Sequence, residues 1–317
     1  MRKNKLNINE NTPLVEVKDP FLKERKISLF IKREDLNHPH MSGNKWYKLK
    51  HNIQEAKEQG KDTILTFGGA YSNHIYAVAA AGKIFNFNTI GIIRGEEHNP
   101  LNPTLSFAKE NGMKLYYLDR ESYRKKNSPE ILDEFIKIFG DFYLLPEGGT
   151  NELAVKGCSE MIGKVNIDYD YICCPCGTGG TMAGLIVGLN GDKFALGFAV
   201  LKGASFLKEN VNNLLQPSYR RSLNNWNINL DYHFGGYAKF NKELLDFIKR
   251  FISQTKIPIE PIYTGKMLFG IYDLIANGFF KEETRIVAIH TGGMQGLNGL
   301  QSKNDWKSKI NLKTGLI

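Results

Sequence analysis

Short apolar segments with strand character alternate with helical segments along most of the chain. Residues 63–67, 89–93 and 285–289 are apolar and rich in β-branched side chains, as buried strands are. Between the strands lie segments with helical spacing, of which 48–59 and the alanine-rich 73–85 are clear examples. Parallel strands need a crossover connection, which is usually a helix. The alternation therefore predicts an α/β protein whose mostly parallel sheets are covered by helices.

Length and charge exclude several other classes of protein. A chain of 317 residues predicts about two domains at roughly 150 residues each, and 42% apolar residues are ordinary for a globular protein. The apolar runs are too short to span a bilayer, and the N-terminus lacks the apolar core of a signal peptide. The formal net charge is +9, but the basic residues are scattered. We interpret them as solvated surface rather than as a site for nucleic acid or membrane.

The cysteines favour a core role over a metal site. Cys173, Cys174 and Cys176 lie within one strand-like apolar segment. A zinc site usually needs two separated pairs of ligands, and neighbouring side chains on a strand point to opposite faces. We therefore expect buried thiols, no metal, and a reducing, cytoplasmic environment.

Four motifs fall where predicted strands end, which is where α/β folds bind ligands. In the first motif, Lys45 follows a tight turn at Gly43 and stands just before the predicted helix. Such a lysine can be an ordinary surface charge. In a desolvated site, however, a lysine has a lowered pKa and can act as a nucleophile or base.

The second motif, residues 68–74, opens the predicted helix over 73–85. A helix N-terminus offers free N–H groups and the positive end of the helix dipole. Ser72 can be a plain N-cap, or it can help to bind a substrate carboxylate. A Ser-His-Asp triad is disfavoured because Ser72 and His74 are too close in sequence to be separate partners.

The third motif is a glycine-rich turn between a strand and a helix. Glycines let successive backbone N–H groups approach and surround a phosphate. A dinucleotide site would need an acidic residue about 20 positions later, where this chain has an apolar strand, and the loop also lacks the Walker A lysine. We therefore predict a site for a single phosphate, formed by Gly177, Thr178, Gly179, Gly180 and Thr181.

The fourth motif places Thr291 after the last strand and Tyr263 before the helix that precedes it. A threonine hydroxyl can hydrogen-bond to a ring nitrogen. Tyr263 can stack on a planar ring, or it can be a half-buried core residue. A reactive lysine, a phosphate site, a partner for a ring nitrogen and a stacking aromatic are together what pyridoxal 5'-phosphate requires.

The order of the motifs resembles that of a known family. The sequence is similar to the D-cysteine desulfhydrase and 1-aminocyclopropane-1-carboxylate deaminase family, within the tryptophan-synthase-β-like enzymes (fold type II) that use pyridoxal phosphate. The resemblance covers nearly the whole chain and rests on Lys32-Arg33-Glu34-Asp35, Ser42-Gly43-Asn44-Lys45, residues 68–74, Glu147-Gly148-Gly149-Thr150-Asn151 and residues 177–181. We place a small domain at 48–149, inserted in a large cofactor-binding domain formed by 1–47 and 150–317. The resemblance also implies a homodimer.

The resemblance implies roles for individual residues. Lys45 matches the lysine that binds the cofactor covalently, and residues 177–181 match the phosphate loop. The other matches are Asn44 and Asn73 beside the cofactor hydroxyl, Thr291 at the pyridine nitrogen, Tyr263 beside the ring, Tyr237 as a second active-site tyrosine, and Ser72, Asn73 and His74 at the substrate carboxylate.

Two positions separate the two activities of the family. The deaminases carry Glu after the ring-side tyrosine and Leu in the His-x-Gly-Gly motif, whereas this chain has Thr264 and Thr291. That pattern resembles the desulfhydrases and implies a lyase for a small amino acid, D-cysteine first, with Thr264 near the substrate. Lys45 would be the base, and Ser72, Tyr237 and Tyr263 are the further catalytic candidates.

Three alternatives remain open at this point. They are the deaminase activity, a pyridoxal-phosphate-binding protein with weak catalysis, and a nucleic-acid-binding protein. The chain also departs from the family in having Trp46 and Tyr47 where an arginine usually follows the lysine by two residues. We expect these two rings to reshape the wall of the pocket.

Overall fold

Two sheets with intervening helices organise the protein in the computed structural model, which describes residues 8–97, 99–215 and 223–295. The strands are β1 (Leu14–Glu16), β2 (Ser28–Lys32), β3 (Thr63–Gly69), β4 (Asn88–Arg94), β5 (Met113–Leu118), β6 (Tyr143–Leu145), β7 (Tyr171–Cys176), β8 (Phe194–Ala199), β9 (Trp226–Asn229) and β10 (Arg285–Ile289). The helices are α1 (Pro20–Glu24), α2 (Asn44–Glu58), α3 (Asn73–Phe85), α4 (Pro103–Glu110), α5 (Arg120–Arg124), α6 (Pro129–Phe139), α7 (Glu152–Ser159), α8 (Gly180–Leu189), α9 (Phe206–Leu215), α10 (Lys242–Thr255) and α11 (Thr264–Ala276).

Both sheets are mostly parallel. One sheet has the strand order β1-β2-β10-β7-β8-β9 and the other has β5-β4-β3-β6. Strand β1 runs antiparallel to β2, and the other pairings among the described strands are parallel. The predicted α/β class with parallel sheets and helical crossovers is therefore confirmed.

The four-stranded sheet is formed by a segment inserted between two strands of the six-stranded sheet. All four of its strands lie within residues 63–145, between β2 and β7. One apolar core contains Ile64 and Ile93 from the smaller sheet together with Ile172 and Ala195 from the larger. The predicted large domain includes residues 1–7 and 296–317, which lie outside the described residues, and the exact domain boundaries stay a prediction.

Helix α2 begins at Asn44, four residues before the predicted start at residue 48. Gly43 precedes it with a φ of 67°, and the buried residues of its first turns include Asn44 and Lys48. A search for apolar spacing overlooks such a turn because polar Asn44 and Lys48 are buried beside Trp46 and Tyr47 and interrupt the apolar pattern. The earlier start places Lys45 and Lys48 on one helix, three residues apart and hence on the same side of it.

The cysteines belong to the apolar core, as predicted. Cys158, Cys173, Cys174 and Cys176 are buried free thiols. Within the described ranges, no cluster of three or more His, Cys, Asp or Glu side chains has a geometry that could hold a metal ion. In the same ranges, no helix combines the length and apolar character needed to cross a membrane.

Helices α2 and α7 approach each other closely at a glycine. A Cβ atom at Gly157 would lie 1.9 Å from the carbonyl oxygen of Tyr47. Real Cβ atoms do not come so near a backbone oxygen, and the backbone cannot yield as a flexible side chain would. The contact fixes helix α2, which carries Lys45, against helix α7.

We predict that Gly157→Ala destabilises the protein although alanine is the better helix former. The added methyl group should force α2 and α7 apart. This should lower the free energy of unfolding by about 1–3 kcal/mol, the usual cost of overpacking. Gly163→Ala is the matched control, since a Cβ there meets nothing within 4 Å. Urea denaturation checks both variants. Equal stability of the two would contradict the close packing of α2 on α7.

Candidate active site

Three of the four sequence motifs meet at the carboxyl end of the parallel strands. A Cβ atom on Gly43 would lie 1.9 Å from the carbonyl oxygen of Thr291, and one on Gly292 would lie 2.5 Å from Ser42 Oγ. One on Gly293 would lie 2.5 Å from Asn73 Nδ2. The loop after β10 therefore lies between the turn before Lys45 and the start of α3, and glycine is needed for it to fit there.

The glycine-rich loop between β7 and α8 joins the same site. Asn44 Nδ2 donates to Thr181 Oγ1 at 2.8 Å, and a Cβ on Gly177 would lie 3.4 Å from the ring of Tyr263. Gly179 stands at the N-cap of α8 with a φ of 87° and no side-chain cap. The backbone N–H groups of this loop and the positive end of the α8 dipole are suited to bind an anion.

Burial changes the chemistry of Lys45. Its Nζ donates to Asn44 Oδ1 at 2.8 Å. Burial of the amine, helped by the charge of nearby Lys48, lowers the pKa of Lys45 to about 7. A large fraction of this lysine is therefore a neutral amine at neutral pH, which is the form that attacks a carbonyl group or removes a proton.

Lys48 is a second buried lysine, and the sequence analysis did not assign it to the site. Its Nζ donates to the carbonyl oxygen of Gly148 at 3.0 Å and to Oγ1 of Thr150 at 3.1 Å, and it lies 3.4 Å from Thr178 Oγ1. A Cβ on Gly180 would lie 3.2 Å from the same Nζ. The ammonium group thus adjoins the glycine-rich loop, where it can bind a phosphate. The signal in the sequence was its spacing of three residues from Lys45.

Ser72 caps helix α3. Its Oγ accepts from the backbone N–H groups of His74 at 3.2 Å and Ile75 at 3.3 Å. These two bonds use the oxygen as acceptor and leave its O–H able to donate to a carboxylate. The capping role is therefore observed, and it is compatible with the predicted contact to substrate.

Asn73 is oriented by a residue that the sequence analysis did not single out. Its Oδ1 accepts from Gln295 Nε2 at 2.5 Å. The Nδ2 group faces the loop after β10, where it would contact a side chain on Gly293. The amide therefore presents its donor group toward the loop that carries Thr291.

The ring of His74 is neutral and its tautomer is fixed. Thr66 Oγ1 donates to the carbonyl oxygen of Leu145 at 2.8 Å, so the same oxygen accepts from His74 Nε2, also at 2.8 Å. Burial and the charges of Lys45 and Lys48 hold the pKa of His74 well below its usual value. The Nδ1 atom is a buried acceptor that finds no partner among the described residues. Because a carboxylate needs donors, the contribution of this segment to carboxylate binding would come from the N-terminus of α3 rather than from this ring.

Tyr263 and Tyr237 form a pair beside the glycine-rich loop. Their ring centroids are 6.0 Å apart, with an edge-to-face angle of 72°. Burial raises the pKa of both hydroxyl groups. Both tyrosines therefore keep their protons at neutral pH and can act as donors.

Thr264 is turned into the protein. It is completely buried, and its Oγ1 donates to Glu260 Oε1 at 3.1 Å. The Glu260 carboxylate also accepts from the backbone N–H groups of Ile262, Tyr263 and Thr264. Glu260, absent from the predicted set, thus holds the turn that presents Tyr263 at the start of α11.

Trp46 and Tyr47 pack into the core, contrary to the expectation that they reshape the pocket wall. Trp46 stacks on Phe85 at 6.4 Å and donates from Nε1 to Glu10 Oε1. Tyr47 is completely buried and donates to Glu34 Oε2 at 3.1 Å. On a helix, residues one and two positions after Lys45 point to other faces, so they diverge from the lysine pair.

The fold and the site together are those of an enzyme that uses pyridoxal phosphate, with a partly buried lysine and a glycine-rich turn at the carboxyl ends of parallel strands. A solved structure of a 1-aminocyclopropane-1-carboxylate (ACC) deaminase homologue aligns with a TM-score of 0.83 and 28% identity, covering 96% of this chain and 95% of that one. The family described as "Pyridoxal-phosphate dependent enzyme" matches residues 6–292. The chain belongs to this family, and its cofactor is pyridoxal 5'-phosphate.

Named relatives agree with the resemblance seen in the sequence. The chain is 31% identical over 292 residues to the bifunctional D-cysteine desulfhydrase/1-aminocyclopropane-1-carboxylate deaminase, mitochondrial, of Arabidopsis thaliana, covering 85% of this chain and 73% of the relative. It is 29% identical over 295 residues to the D-cysteine desulfhydrase of Klebsiella pneumoniae, covering 85% and 88%. The predicted family is thereby confirmed.

We predict that the amine of Lys45 titrates near neutrality in the cofactor-free protein. With a pKa of about 7, its rate of reaction with pyridoxal phosphate should rise about tenfold from pH 6 to pH 8 and then level off, because the neutral amine is the reactive form. Nα-acetyl-lysine, measured in parallel, should rise about 100-fold over the same range without a plateau. Parallel profiles for protein and model amine would contradict the lowered pKa.

We predict that Lys48→Met weakens cofactor binding chiefly through the phosphate group. Loss of a charge-assisted hydrogen bond should reduce the affinity for pyridoxal phosphate about 10- to 100-fold. The affinity for pyridoxal, which lacks the phosphate, should fall much less, only as far as loss of the Lys48 charge raises the pKa of Lys45. Equilibrium dialysis of the cofactor-free protein measures both, with the exposed Lys57→Met on the same helix as control. Equal losses for the two ligands would contradict the assignment.

Proposed function

We propose that the protein is a lyase that converts D-cysteine and water into pyruvate, ammonia and hydrogen sulfide. When bound, pyridoxal phosphate supplies an electron sink that stabilises negative charge at the substrate Cα atom. The observation that carries the proposal is the place of the partly buried Lys45 amine, which is bonded to Asn44 and set among groups suited to a phosphate and a carboxylate. Its pKa, lowered to about 7, agrees with that role.

The cofactor would be held by groups that the structure brings together. The glycine-rich loop 177–181, the N-terminus of α8 and the Lys48 ammonium would bind its phosphate. Thr291 would meet the ring nitrogen, and Asn44 and Asn73 would lie beside the cofactor hydroxyl. The ring of Tyr263 would lie beside the cofactor ring.

Ser72, the N-terminus of α3 and Lys45 would bind and deprotonate the substrate. Ser72 can donate its O–H to the substrate carboxylate while its oxygen caps α3. The N-terminal end of α3 favours the same negative charge. The neutral Lys45 Nζ would accept the proton from Cα, a role for which its lowered pKa suits it.

The tyrosine pair would serve the leaving group. Tyr263 and Tyr237 both keep their protons at neutral pH, because burial raises the pKa of each. Either hydroxyl can donate a hydrogen bond to the sulfur and stabilise the negative charge that develops on it as the Cβ–S bond breaks. The sulfur then departs as hydrogen sulfide, and water replaces the amino group to give pyruvate.

D-Cysteine is preferred over a cyclopropane substrate because of positions 264 and 291. Thr264 stands where the deaminases of the family carry Glu, and its hydroxyl is bonded to Glu260 rather than facing the site. Thr291 stands where they carry Leu and brings a hydroxyl to the loop packed against Gly43. The deaminase activity is kept as a second candidate because the Arabidopsis relative carries both activities in its name.

We predict that the wild-type holoenzyme forms pyruvate and sulfide from D-cysteine in equal amounts. Lys45→Ala should lower turnover about 10²- to 10⁴-fold, the usual contribution of a general base, or more if covalent attachment is lost. Pyruvate and sulfide are assayed in one tube, with 1-aminocyclopropane-1-carboxylate and L-cysteine as parallel substrates. Ketobutyrate from the cyclopropane compound without sulfide from D-cysteine would reverse the assignment. Bound cofactor with no product from any substrate would indicate a binding protein.

A further inference from the structure

Lys266 is a buried charge in the first turn of α11. The residue has no exposed surface, and its Nζ donates to the carbonyl oxygens of His233 and Gly236, each at 2.8 Å, and of Val200 at 3.4 Å. No carboxylate of the described chain lies within ion-pair distance of it. The positive end of a helix dipole also disfavours an ammonium group in a first turn. The three carbonyl groups are therefore what stabilises this charge.

Two of these carbonyl groups belong to a turn with an unusual backbone. In the segment 233–238, Phe234 has a φ of 51° and Ala238 a φ of 55°, in the left-handed region that side chains disfavour. Gly235 and Gly236, at 92° and 117°, lie between them. Such conformations persist where surrounding contacts determine them. Lys266 supplies such contacts at His233, which precedes Phe234, and at Gly236.

The same ammonium group connects the two tyrosine-bearing segments of the site. Tyr237 directly follows Gly236, whose carbonyl group Lys266 binds. Tyr263 stands three residues before Lys266, immediately before α11. The two rings meet edge to face at 6.0 Å. A shift of the turn relative to α11 would therefore separate the tyrosine pair.

We propose that Lys266 is a positioning residue, whose ammonium group clamps the 233–238 turn onto α11 and so sets Tyr237 against Tyr263. The catalytic use of this pair rests on the proposed function, whereas the clamp itself does not. Glu260, which is also buried, accepts from the backbone N–H group of Tyr263. Two buried side chains thus act on the geometry of one pair of rings.

Lys266→Met tests the clamp, since methionine replaces the aliphatic stem and removes all three donors. Hydrogen exchange of the holoenzyme should become about 10- to 100-fold faster at the amides of 233–238, with little change at 177–181. The affinity for pyridoxal phosphate should stay within about twofold. Lys242→Met is the matched control, because its side chain is 92% exposed and its loss should leave both quantities unchanged. Unchanged exchange at 233–238, or equal acceleration across the whole chain, would overturn the clamp.

A double-mutant cycle separates positioning from a general loss of stability. If Lys266 acts through Tyr237, the loss of turnover in Lys266→Met with Tyr237→Phe should be no larger than that of the more damaging single variant. Multiplying losses would overturn the proposal. Lys266→Gln, which keeps an amide donor, should show the same localised exchange at smaller amplitude and replaces Lys266→Met if that variant does not fold. If the wild type has no lyase activity, the proposed function fails while the exchange experiment still decides the clamp.

Discussion

The withdrawal of two lysines from solvent on one side of α2, Lys48 buried and Lys45 partly buried, is the constraint on which the site depends. Lys45 and Lys48 are three residues apart, and within the described ranges neither has a carboxylate at ion-pair distance. Taking two like charges out of water is costly unless one loses its proton or an anion joins them. The structure provides for both. Lys48 is surrounded by three oxygens and the glycine-rich loop, whereas Lys45 has one amide partner among the described residues and a pKa of about 7. One lysine is thus suited to bind an anion and the other to react.

Much of this arrangement was visible in the sequence, because it lies in motifs of small and polar residues at strand ends. The helix over 73–85 and the strand over 285–289 have the predicted bounds, and the four motifs converge on one site. The family and the cofactor followed from the order of those motifs. The close contacts between the motifs could not be predicted from the sequence, since no spacing of residues indicates that Gly43 lies against the Thr291 carbonyl group.

Buried charged residues and the short edge strand could not be identified from sequence patterns. Lys48, Glu260 and Lys266 were passed over because charged side chains are ordinarily assigned to the surface. The start of α2 was placed late for the same reason. The edge strand β1 has three residues, too few for its sequence to carry a periodic signal. Trp46 and Tyr47 were placed near the pocket because their neighbours in sequence line it, although helix geometry turns them into the core.

Lys45, rather than the buried Lys48 or Lys266, is the lysine that we expect to bind the cofactor covalently. Lys48 and Lys266 also have pKa values lowered by burial, so burial alone does not single out Lys45. Reduction of the holoenzyme with borohydride, followed by peptide mass spectrometry, fixes the cofactor to the lysine that holds it. We predict a single pyridoxyl group, attached to the Nζ atom of Lys45. A pyridoxyl group on Lys48 or Lys266, with Lys45 unmodified, would contradict it.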